Sequence, residues 1–484
     1  MADVLKPFRL FPLALAATLA GCVVGPDFVK PPSDGYAPAP HPDRTVASQG
    51  PAGAAQGFGV SDDIQGDWWT LYHDRKLDAL IAHAIAGSPT LEAAQATLRS
   101  ASANLAAARA GLLPIATATV SANESRTTGK YASTASQYGA SVGASYTVDV
   151  FGGVRRMIEM QQAALDLQRF SVESSYLALT SNVITTALQE ALLSAELSAE
   201  EEIRSRQAKQ LEIIRIREQS GAESPANVLT QESVLLGTES ALTTLRTQRT
   251  QIRHLLAVYL GDDPATFAGG GLTLSGLTLP TDLPSSVPAK LTERRPDIRQ
   301  AEAALHQASA AIGVAVAARI PDVGLTAALS TNSGALPTLF SSGLIGLGAS
   351  VTQTLFDGGA LAAREDASRA AYDAAVATYR QTVLSALQNV CDVLAAIDAD
   401  AQTLSITTRQ EERARQSLEI SEVQYQYGKI RYADLLNAEE QYQSATIARL
   451  SAMASRFSDT AALYVALGGG WWHRREASPI PTME

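Results

Sequence analysis

The stretch LQNVCDVLAAIDADAQTL, residues 387–404, decides the fold of this chain. Its apolar residues recur in alternating steps of three and four, which places them on one face of a helix with a period of about 3.5. No proline occurs between Pro337 and Pro479, so nothing interrupts the pattern. The pattern therefore predicts one very long helix that packs along a partner. The residues of this apolar seam are Leu387, Val390, Leu394, Ile397, Ala401 and Leu404.

The boundaries of this helix are also visible in the sequence. The motif FDGG at residues 356–359 precedes it, and a break follows near Gly428. The segment DLLNAE at residues 434–439 starts a second helix, which ends at ALGGGW, residues 466–471, where glycines stop it. We therefore expect a long helix folded back on a shorter one.

The same pattern occurs earlier in the chain, about 207 residues before. Pro89 and Pro114 correspond to Pro296 and Pro321 at this offset, whereas the motif FGG at residues 151–153 precedes FDGG by 205. A nearly constant offset over many positions indicates an internal duplication. Further pairs at 207 are Leu98 and Leu305, Ala103 and Ala310, Gly221 and Gly428, Glu232 and Glu439, and Leu260 and Leu467.

Composition favours a helical body over a single large core. The length of 484 residues would suggest about three domains, but the duplication favours two intertwined halves of one body. Hydrophobic residues make up 46% of the chain and aromatic residues only 6%, so small side chains must carry the helix packing. The net charge of −11 argues against a nucleic-acid partner.

The N-terminus has the features of a lipoprotein signal peptide at residues 1–21. Lys6 and Arg9 precede a short apolar run, which is too short to span a bilayer as a helix. The run ends in LAGC, which resembles the bacterial lipoprotein box and implies diacylglycerol and N-acyl groups on Cys22. The alternative is a chance cysteine after an ordinary signal. Cys391 is then the only cysteine left, and we expect it to be a small buried apolar residue.

Four segments have the alternation of β-strands, two in each half. Residues 140–150 carry an apolar side chain at every second position, and residues 323–327 and 345–352 repeat this pattern in the second half, whereas residues 115–122 alternate less regularly. A tilted strand of about 10 residues spans the hydrocarbon layer. Because four strands cannot close a barrel and an open edge in lipid is costly, several chains must share one barrel. The alternative is a soluble four-stranded sheet.

Several motifs along the chain, taken together in their order and spacing, resemble those of the outer-membrane factor family of TolC-like proteins. Within it the chain is similar to the lipoprotein branch of resistance-nodulation-division efflux systems, which includes NodT and OprM. The resemblance implies an α+β membrane protein and a homotrimer with a shared 12-stranded barrel continued by a periplasmic α-helical coiled-coil tunnel. The motifs are CVVGPDF (22–28), WW (68–69), LDAL (77–80), RPDI (295–298), FDGG (356–359), DLLNA (434–438) and LGGGW (467–471).

The resemblance implies that the protein is the passive exit duct of a tripartite efflux pump in the bacterial outer membrane. Its partners would be a periplasmic adaptor, an inner-membrane pump and outer-membrane lipid, with no cofactor other than the acyl groups. The alternatives are the duct of a type I protein-secretion system and a coiled-coil lipoprotein without a pore. The expected segments are the signal peptide, a lipidated tether without a core (22–66), a first repeat (67–262), an equatorial linker (263–289), a second repeat (290–470) and a C-terminal tail (471–484).

No group of residues suggests an enzyme or a metal site. The acidic run Glu200–Glu202 lies within a predicted helix and is expected to form a solvated face. Gly269–Gly271 lacks the lysine of a phosphate loop. The six histidines have no ligand spacing; they are His41, His73, His83, His254, His306 and His473.

The resemblance places a periplasmic gate at the helix turns. The family often has acids where Asn227 and Asn437 stand and a basic residue near Ile430, which Arg431 follows here. The alternative is that these residues only cap helices. A further hypothesis is a cation-binding ring of Asp434 from three copies. The gate candidates are Tyr425, Gly428, Arg431, Asp434, Asn437 and Asn227.

Overall fold

A computed structural model describes residues 23–32, 39–59, 64–284 and 294–474. The expected signal peptide and Cys22 lie outside the described residues. The helices are α1 (Arg75–Gly87), α2 (Pro89–Ala110), α3 (Gly153–Gln219), α4 (Pro225–Leu260), α5 (Pro296–Ala317), α6 (Ala360–Gln426) and α7 (Tyr432–Ala466). The strands are β1 (Gly57–Gly59), β2 (Ile115–Thr127), β3 (Ser133–Val148), β4 (Asp282–Pro284), β5 (Asp322–Ser333) and β6 (Leu344–Thr352).

One order of elements occurs twice: a helix, two strands, a long helix and a shorter helix. The long helices α3 and α6 have 67 residues each, which at 1.5 Å per residue is about 100 Å. Their first residues, Gly153 and Ala360, lie 207 positions apart. Gly152 and Gly359 precede them with φ of 81° and 90°, a backbone region that favours glycine. The offset of 207 therefore holds at the helix starts, and the offset of 205 between FGG and FDGG arises in the loops.

The chain divides into two compact units, and one of them contains the four long strands. These form an antiparallel sheet in the order β2-β3-β5-β6, as the alternation predicted. Ile115 pairs with Ser145, and Val323 pairs with Val351. The edge strand β6 is exposed throughout, and Leu347 at its centre is 84% exposed. Among the described residues, β2 and β6 each have a strand partner on one side only.

The first described residues are fixed against the same unit by one arginine. The Arg156 side chain, 5% exposed, donates from Nε to the Val24 carbonyl at 2.9 Å and from Nη2 to Asp27 at 2.7 Å. The Val24 amide in turn donates to the Phe151 carbonyl at 3.1 Å. Phe28 stacks on His306 with ring centroids 4.4 Å apart. These residues are therefore held in place by specific contacts, which the prediction of an extended tether or surface arm did not include.

The other unit contains the predicted helical seam. Val390, Leu394, Ile397 and Ala401 are 0–1% exposed, which confirms that the 3.5-residue spacing marks a packed face. Cys391, expected to be buried, is only half-buried. It follows Val390 directly, and one position along a helix rotates a side chain by about 100° away from the seam. Among the described helices, α6 is the one that is long and apolar enough to cross a bilayer by length and composition. Its 67 residues, however, far exceed the roughly 20 residues that a membrane-spanning helix needs.

Residues 39–59 are also packed in this unit, in contrast to the predicted arm without a core. Arg456 on α7 is 0% exposed and donates to the carbonyls of Ala52 at 2.6 Å and Ala54 at 2.8 Å. Gln56, also 0% exposed, donates to the Pro280 carbonyl at 3.0 Å. Strand β1 then pairs in parallel with β4, which lies in the expected equatorial linker. Polar contacts of buried side chains with backbone groups thus fix a segment that is poor in hydrophobic residues.

Candidate functional site at the helix turns

Two similar turns connect each long helix to the shorter helix that follows it. The α3–α4 turn contains Gly221 with φ of 76°, and the α6–α7 turn contains Gly428 with φ of 66°. Both turns need this left-handed conformation, which glycine adopts without strain. In the first turn the Ser224 hydroxyl accepts a hydrogen bond from the Asn227 amide at 3.3 Å and so caps α4.

Glu223 in the first turn joins the two turns. The Tyr425 hydroxyl at the end of α6 donates to its Oε2 at 2.6 Å. The Asn227 side-chain amide donates to its Oε1 at 2.5 Å. Both carboxylate oxygens are therefore engaged, one by each repeat. We refer to Glu223, Asn227, Tyr425 and Arg217 as the turn cluster.

Arg217 at the end of α3 completes the turn cluster. Its guanidinium lies 4.8 Å from the centroid of the Tyr425 ring, and its Nη1 donates to the Tyr425 carbonyl at 3.3 Å. This is a cation–π contact combined with a hydrogen bond. Tyr425 is thus held at its ring, its hydroxyl and its backbone carbonyl.

The protonation states in the turn cluster follow from its contacts. Burial, and then the hydrogen bond to Glu223, raise the pKa of Tyr425, so its hydroxyl stays a donor. Burial alone would raise the pKa of Glu223, but the hydrogen bonds from Tyr425 and Asn227 outweigh it and lower the pKa. The turn cluster therefore holds a carboxylate that is charged at neutral pH and accepts hydrogen bonds from two neutral side chains and from the Ser224 amide.

An apolar layer supports the turn cluster from one side. The Tyr432 hydroxyl on α7 is hydrogen-bonded to the Gln231 side-chain oxygen on α4, and both residues are buried. The rings of Tyr425 and Tyr432 lie 5.7 Å apart. The layer links the two shorter helices just beyond the turns. Its buried residues are Ile214, Leu418, Tyr425, Tyr432, Leu435 and Ala438.

Arg431 and Asp434 form a local cap and do not join the turn cluster. The Arg431 guanidinium donates to Asp434 Oδ1 at 3.0 Å, and the Arg431 amide donates to Oδ2 at 3.1 Å. The side-chain and backbone hydrogen bonds from Arg431 lower the pKa of Asp434. Arg431 and Asp434 therefore cap the start of α7, which is the alternative that the sequence left open for this pair. Asn437 is exposed and lies outside the turn cluster.

Sequence reasoning missed Glu223 and Arg217. The family pattern suggested an acid at the position of Asn227, and Glu223 supplies one a helical turn earlier, with Asn227 as its donor. An acid four residues before Asn227 was the available signal. Arg217 had no signal in the sequence, because its contact with Tyr425 joins residues 208 positions apart.

The acidic run Glu200–Glu202 was expected to be a solvated face, and for Glu200 this is wrong. Glu200 is 2% exposed and accepts two hydrogen bonds from the Gln443 amide, at 2.8 and 3.0 Å. Glu201 and Glu202 are exposed and pair with Arg246 and Arg206, each at 3.0 Å. Consecutive residues of a helix point about 100° apart, so one of the three faces α7.

Comparison with known proteins identifies the family. A family model described as "Outer membrane efflux protein" matches residues 80–262 and 287–469, well over half of the chain. The chain belongs to the outer membrane efflux protein family. This family therefore accounts for both copies of the repeated element order.

Curated relatives match this protein over nearly their whole length. Nodulation protein T of Rhizobium leguminosarum bv. viciae is 29% identical, and the match covers 98% of this chain and 95% of the relative. The pyoverdine export outer membrane protein OpmQ of Pseudomonas aeruginosa is 28% identical, with 87% and 91% covered. The cation efflux system protein CusC of Escherichia coli K12 is 27% identical, with 96% and 100% covered.

Solved structures show the same fold. The outer-membrane channel OprN superposes with a TM-score of 0.82 at 25% identity, covering 93% of this chain and 100% of that chain. The MtrE outer membrane channel of Neisseria gonorrhoeae, solved in its open state, gives 0.76 at 27% identity, covering 93% and 99%. This efflux protein is accordingly an outer-membrane channel with a β-sheet part and a long-helix part. It serves an efflux system in the outer membrane.

Proposed function

We propose that three copies of this chain form the exit duct of a tripartite efflux pump and that the turn cluster holds its periplasmic end closed. The observation that carries the proposal is the four-stranded antiparallel sheet with two unpaired edges. Three copies supply twelve strands, within the size range of membrane barrels. Closure between copies satisfies the backbone groups of β2 and β6 and leaves the exposed apolar side chains of β6 facing lipid.

A lipid anchor on Cys22 fits the contacts of the residues that follow it. Val24, two residues after Cys22 in the sequence, is fixed by the hydrogen bond from its amide to the Phe151 carbonyl at 3.1 Å. Phe151 follows the end of β3 at Val148. Diacylglycerol and N-acyl groups on Cys22 would then enter the bilayer beside the sheet. Several acyl chains together hold a protein firmly at a membrane.

The duct requires partners that supply energy and selectivity, and we propose a periplasmic adaptor and an inner-membrane resistance-nodulation-division pump. The relatives are named for export of pyoverdine, cations or antibiotics, although they share one fold family. A conduit that serves such different cargo has no need of a catalytic site. We therefore assign substrate choice to the partners and gating to this protein.

The turn cluster supports the gating role because it connects the two repeats at their turns. Moving the α6–α7 hairpin away from the α3–α4 hairpin would break the Tyr425–Glu223 hydrogen bond and the Arg217–Tyr425 contact. A hydrogen bond to a charged group contributes about 1.5–3 kcal/mol. Three copies would multiply that contribution, which suits a closed resting state opened by a partner.

The test is planar-bilayer conductance of the detergent-extracted protein, with its oligomeric mass measured on the same sample. A trimer that is mostly closed and opens in discrete steps supports the proposal. A monomer that never conducts would overturn it and favour a coiled-coil lipoprotein without a pore. A trimer that conducts only with a protein-secretion partner would keep the shared barrel but reassign the system.

A further inference from the structure

The two repeats differ in one pair of charged residues. In the first repeat Arg215 on α3 and Glu232 on α4 form an ion pair with an N–O distance of 2.6 Å. The equivalent positions in the second repeat, 207 residues later, hold Glu422 on α6 and Glu439 on α7. An attractive pair across one helical hairpin is thus replaced by two acids across the other.

Glu439 is left without a counter-charge of its own. Its Oε2 is buried and has no hydrogen-bond partner among the described residues. The nearby Arg206 on α3 already pairs with Glu202 at 3.0 Å and lies 3.9 Å from Glu422. A buried carboxylate oxygen without a donor is costly when it is charged and much less costly when it is protonated.

A cavity of about 260 Å³ lies beside Glu439, between α3, α4 and α7. Glu200 and Glu440 also line it, so three carboxyl groups share this space. Glu200 is already engaged by the Gln443 amide. The volume is large enough to hold water, so a charge on Glu439 would draw water in between the helices that line the cavity.

The surroundings of Glu439 oppose its ionisation from most sides. Burial, and then repulsion from Glu422 on α6, raise the pKa of Glu439 to about 7. The attraction of Arg206 on α3 lowers this pKa but does not outweigh the other two effects. Glu200 lines the cavity from α3 and Glu440 from α7, while α4 contributes the neutral Thr238. Burial also raises the pKa of Glu200. At acid pH Glu439 is therefore neutral, which suits a half-buried side chain whose Oε2 is shielded from solvent.

We propose that the α6–α7 hairpin is a protonation-dependent element of the channel, which packs tightly while Glu439 is neutral and loosens when Glu439 ionises. The packed state holds a proton that the loosened state releases. Packing is therefore favoured at acid pH and is weakened as pH rises through neutrality. Glu439 lies two helical turns from Tyr432, so loosening reaches the apolar layer beneath the turn cluster. The α3–α4 hairpin, with its ion pair, lacks this response.

The experiment is hydrogen–deuterium exchange of the purified full-length trimer at pH 6 and pH 8, corrected for the intrinsic effect of pH on exchange. In the wild type, peptides covering residues 418–443 should exchange several-fold faster at pH 8, with a limit of about tenfold per pH unit for one proton. Peptides of the α3–α4 hairpin at residues 211–236 should not change.

Three variants test the assignment. Glu439→Gln keeps the shape without the charge and should exchange slowly at both pH values. Glu422→Arg recreates the ion pair of the first repeat and should also remove the pH response. Glu232→Gln is the matched control in the first repeat and should retain the wild-type response. A wild-type pH response in Glu439→Gln would overturn the proposal, as would the absence of a pH response in the wild type. Exchange does not require conduction, so this outcome is independent of the proposed duct function.

Discussion

The Glu223 carboxylate shows how much of the candidate gate depends on single atoms. One of its oxygens binds Tyr425 from the second repeat and the other binds Asn227 from the first. Of these two hydrogen bonds to Glu223, only the one from Tyr425 joins the two repeats. The hydroxyl of Tyr425 is therefore the single atom whose loss should weaken the link with the least effect on either turn.

Replacing Tyr425 by Phe should raise the open probability of the channel several-fold. The ring keeps its contacts with Arg217 and Tyr432, while the hydrogen bond to a charged group, about 1.5–3 kcal/mol and less at a partly exposed site, is lost. Single-channel recording measures the effect. Tyr427→Phe is the control, because Tyr427 is 75% exposed and lies outside the turn cluster. Equal open probabilities for both variants would exclude Tyr425 from the gate.

Acid should weaken the turn cluster. The pKa of Glu223 is lowered by its hydrogen bonds, so the stability that it contributes is present above its ordinary pKa and is lost as pH falls through the lowered value. We expect the open probability of the wild type to rise only when the pH falls below the ordinary range of glutamate pKa values. Glu223→Gln should be more open at neutral pH and should lack this acid response. An unchanged acid response in Glu223→Gln would assign it to another group.

The residue scale is where sequence reasoning was least complete. The turn glycines Gly221 and Gly428 were found because turn chemistry is local, whereas Tyr425 was named through the resemblance to the family and its role in the gate stays a prediction. Glu223, Arg217 and buried Glu200 were missed, because their partners lie about 200 residues away and are set only by packing of the two repeats. The capping pair of Arg431 and Asp434 was visible as an alternative, since a cap spans only three residues.

At the scale of elements, periodicity and the turn glycines predicted the end of α6 and both ends of α7 to within about two residues. The break near Gly428 and the stop after Ala466 agree with the ends of α6 and α7. Composition predicted an extended tether or surface arm without a core for residues 22–66, whereas residues 23–32 and 39–59 make specific contacts with the helices. Their packing depends on Arg156 and Arg456, whose buried guanidinium groups donate hydrogen bonds to backbone carbonyls. Such contacts cannot be predicted from a local sequence pattern, because the two partners lie far apart in the chain.

Replacing Arg156 by Gln should release the residues that follow Cys22. The Val24 and Asp27 contacts would be lost, so we expect faster hydrogen exchange and faster proteolysis of residues 23–30, by at least several-fold. Arg155→Gln is the matched control, because Arg155 is more exposed and pairs with Asp149. If residues 23–30 stay equally protected in both variants, Arg156 does not hold them.

At the scale of the whole molecule, duplication built a symmetric framework and substitution then made the halves different. The long helices have equal length and matching starts, but the pair Arg215–Glu232 corresponds to Glu422 and Glu439. The two groups expected to respond to pH respond in opposite directions. Protonation of Glu223 weakens the link between the turns, whereas protonation of Glu439 strengthens helix packing. At a pH above the lowered pKa of Glu223 and below the raised pKa of Glu439, both groups favour the closed arrangement.

The unpaired sheet edges give the sharpest prediction for the assembly. In one chain β3 and β5 are paired on both sides, whereas β2 and β6 are paired on one side only. If copies join edge to edge, amides of β2 and β6 in the purified trimer should be as protected from exchange as those of β3 and β5. Monomer separated from the same preparation should lose protection selectively in β2 and β6. Unprotected edges in the trimer would mean that the copies associate through their helices and that the barrel is not shared.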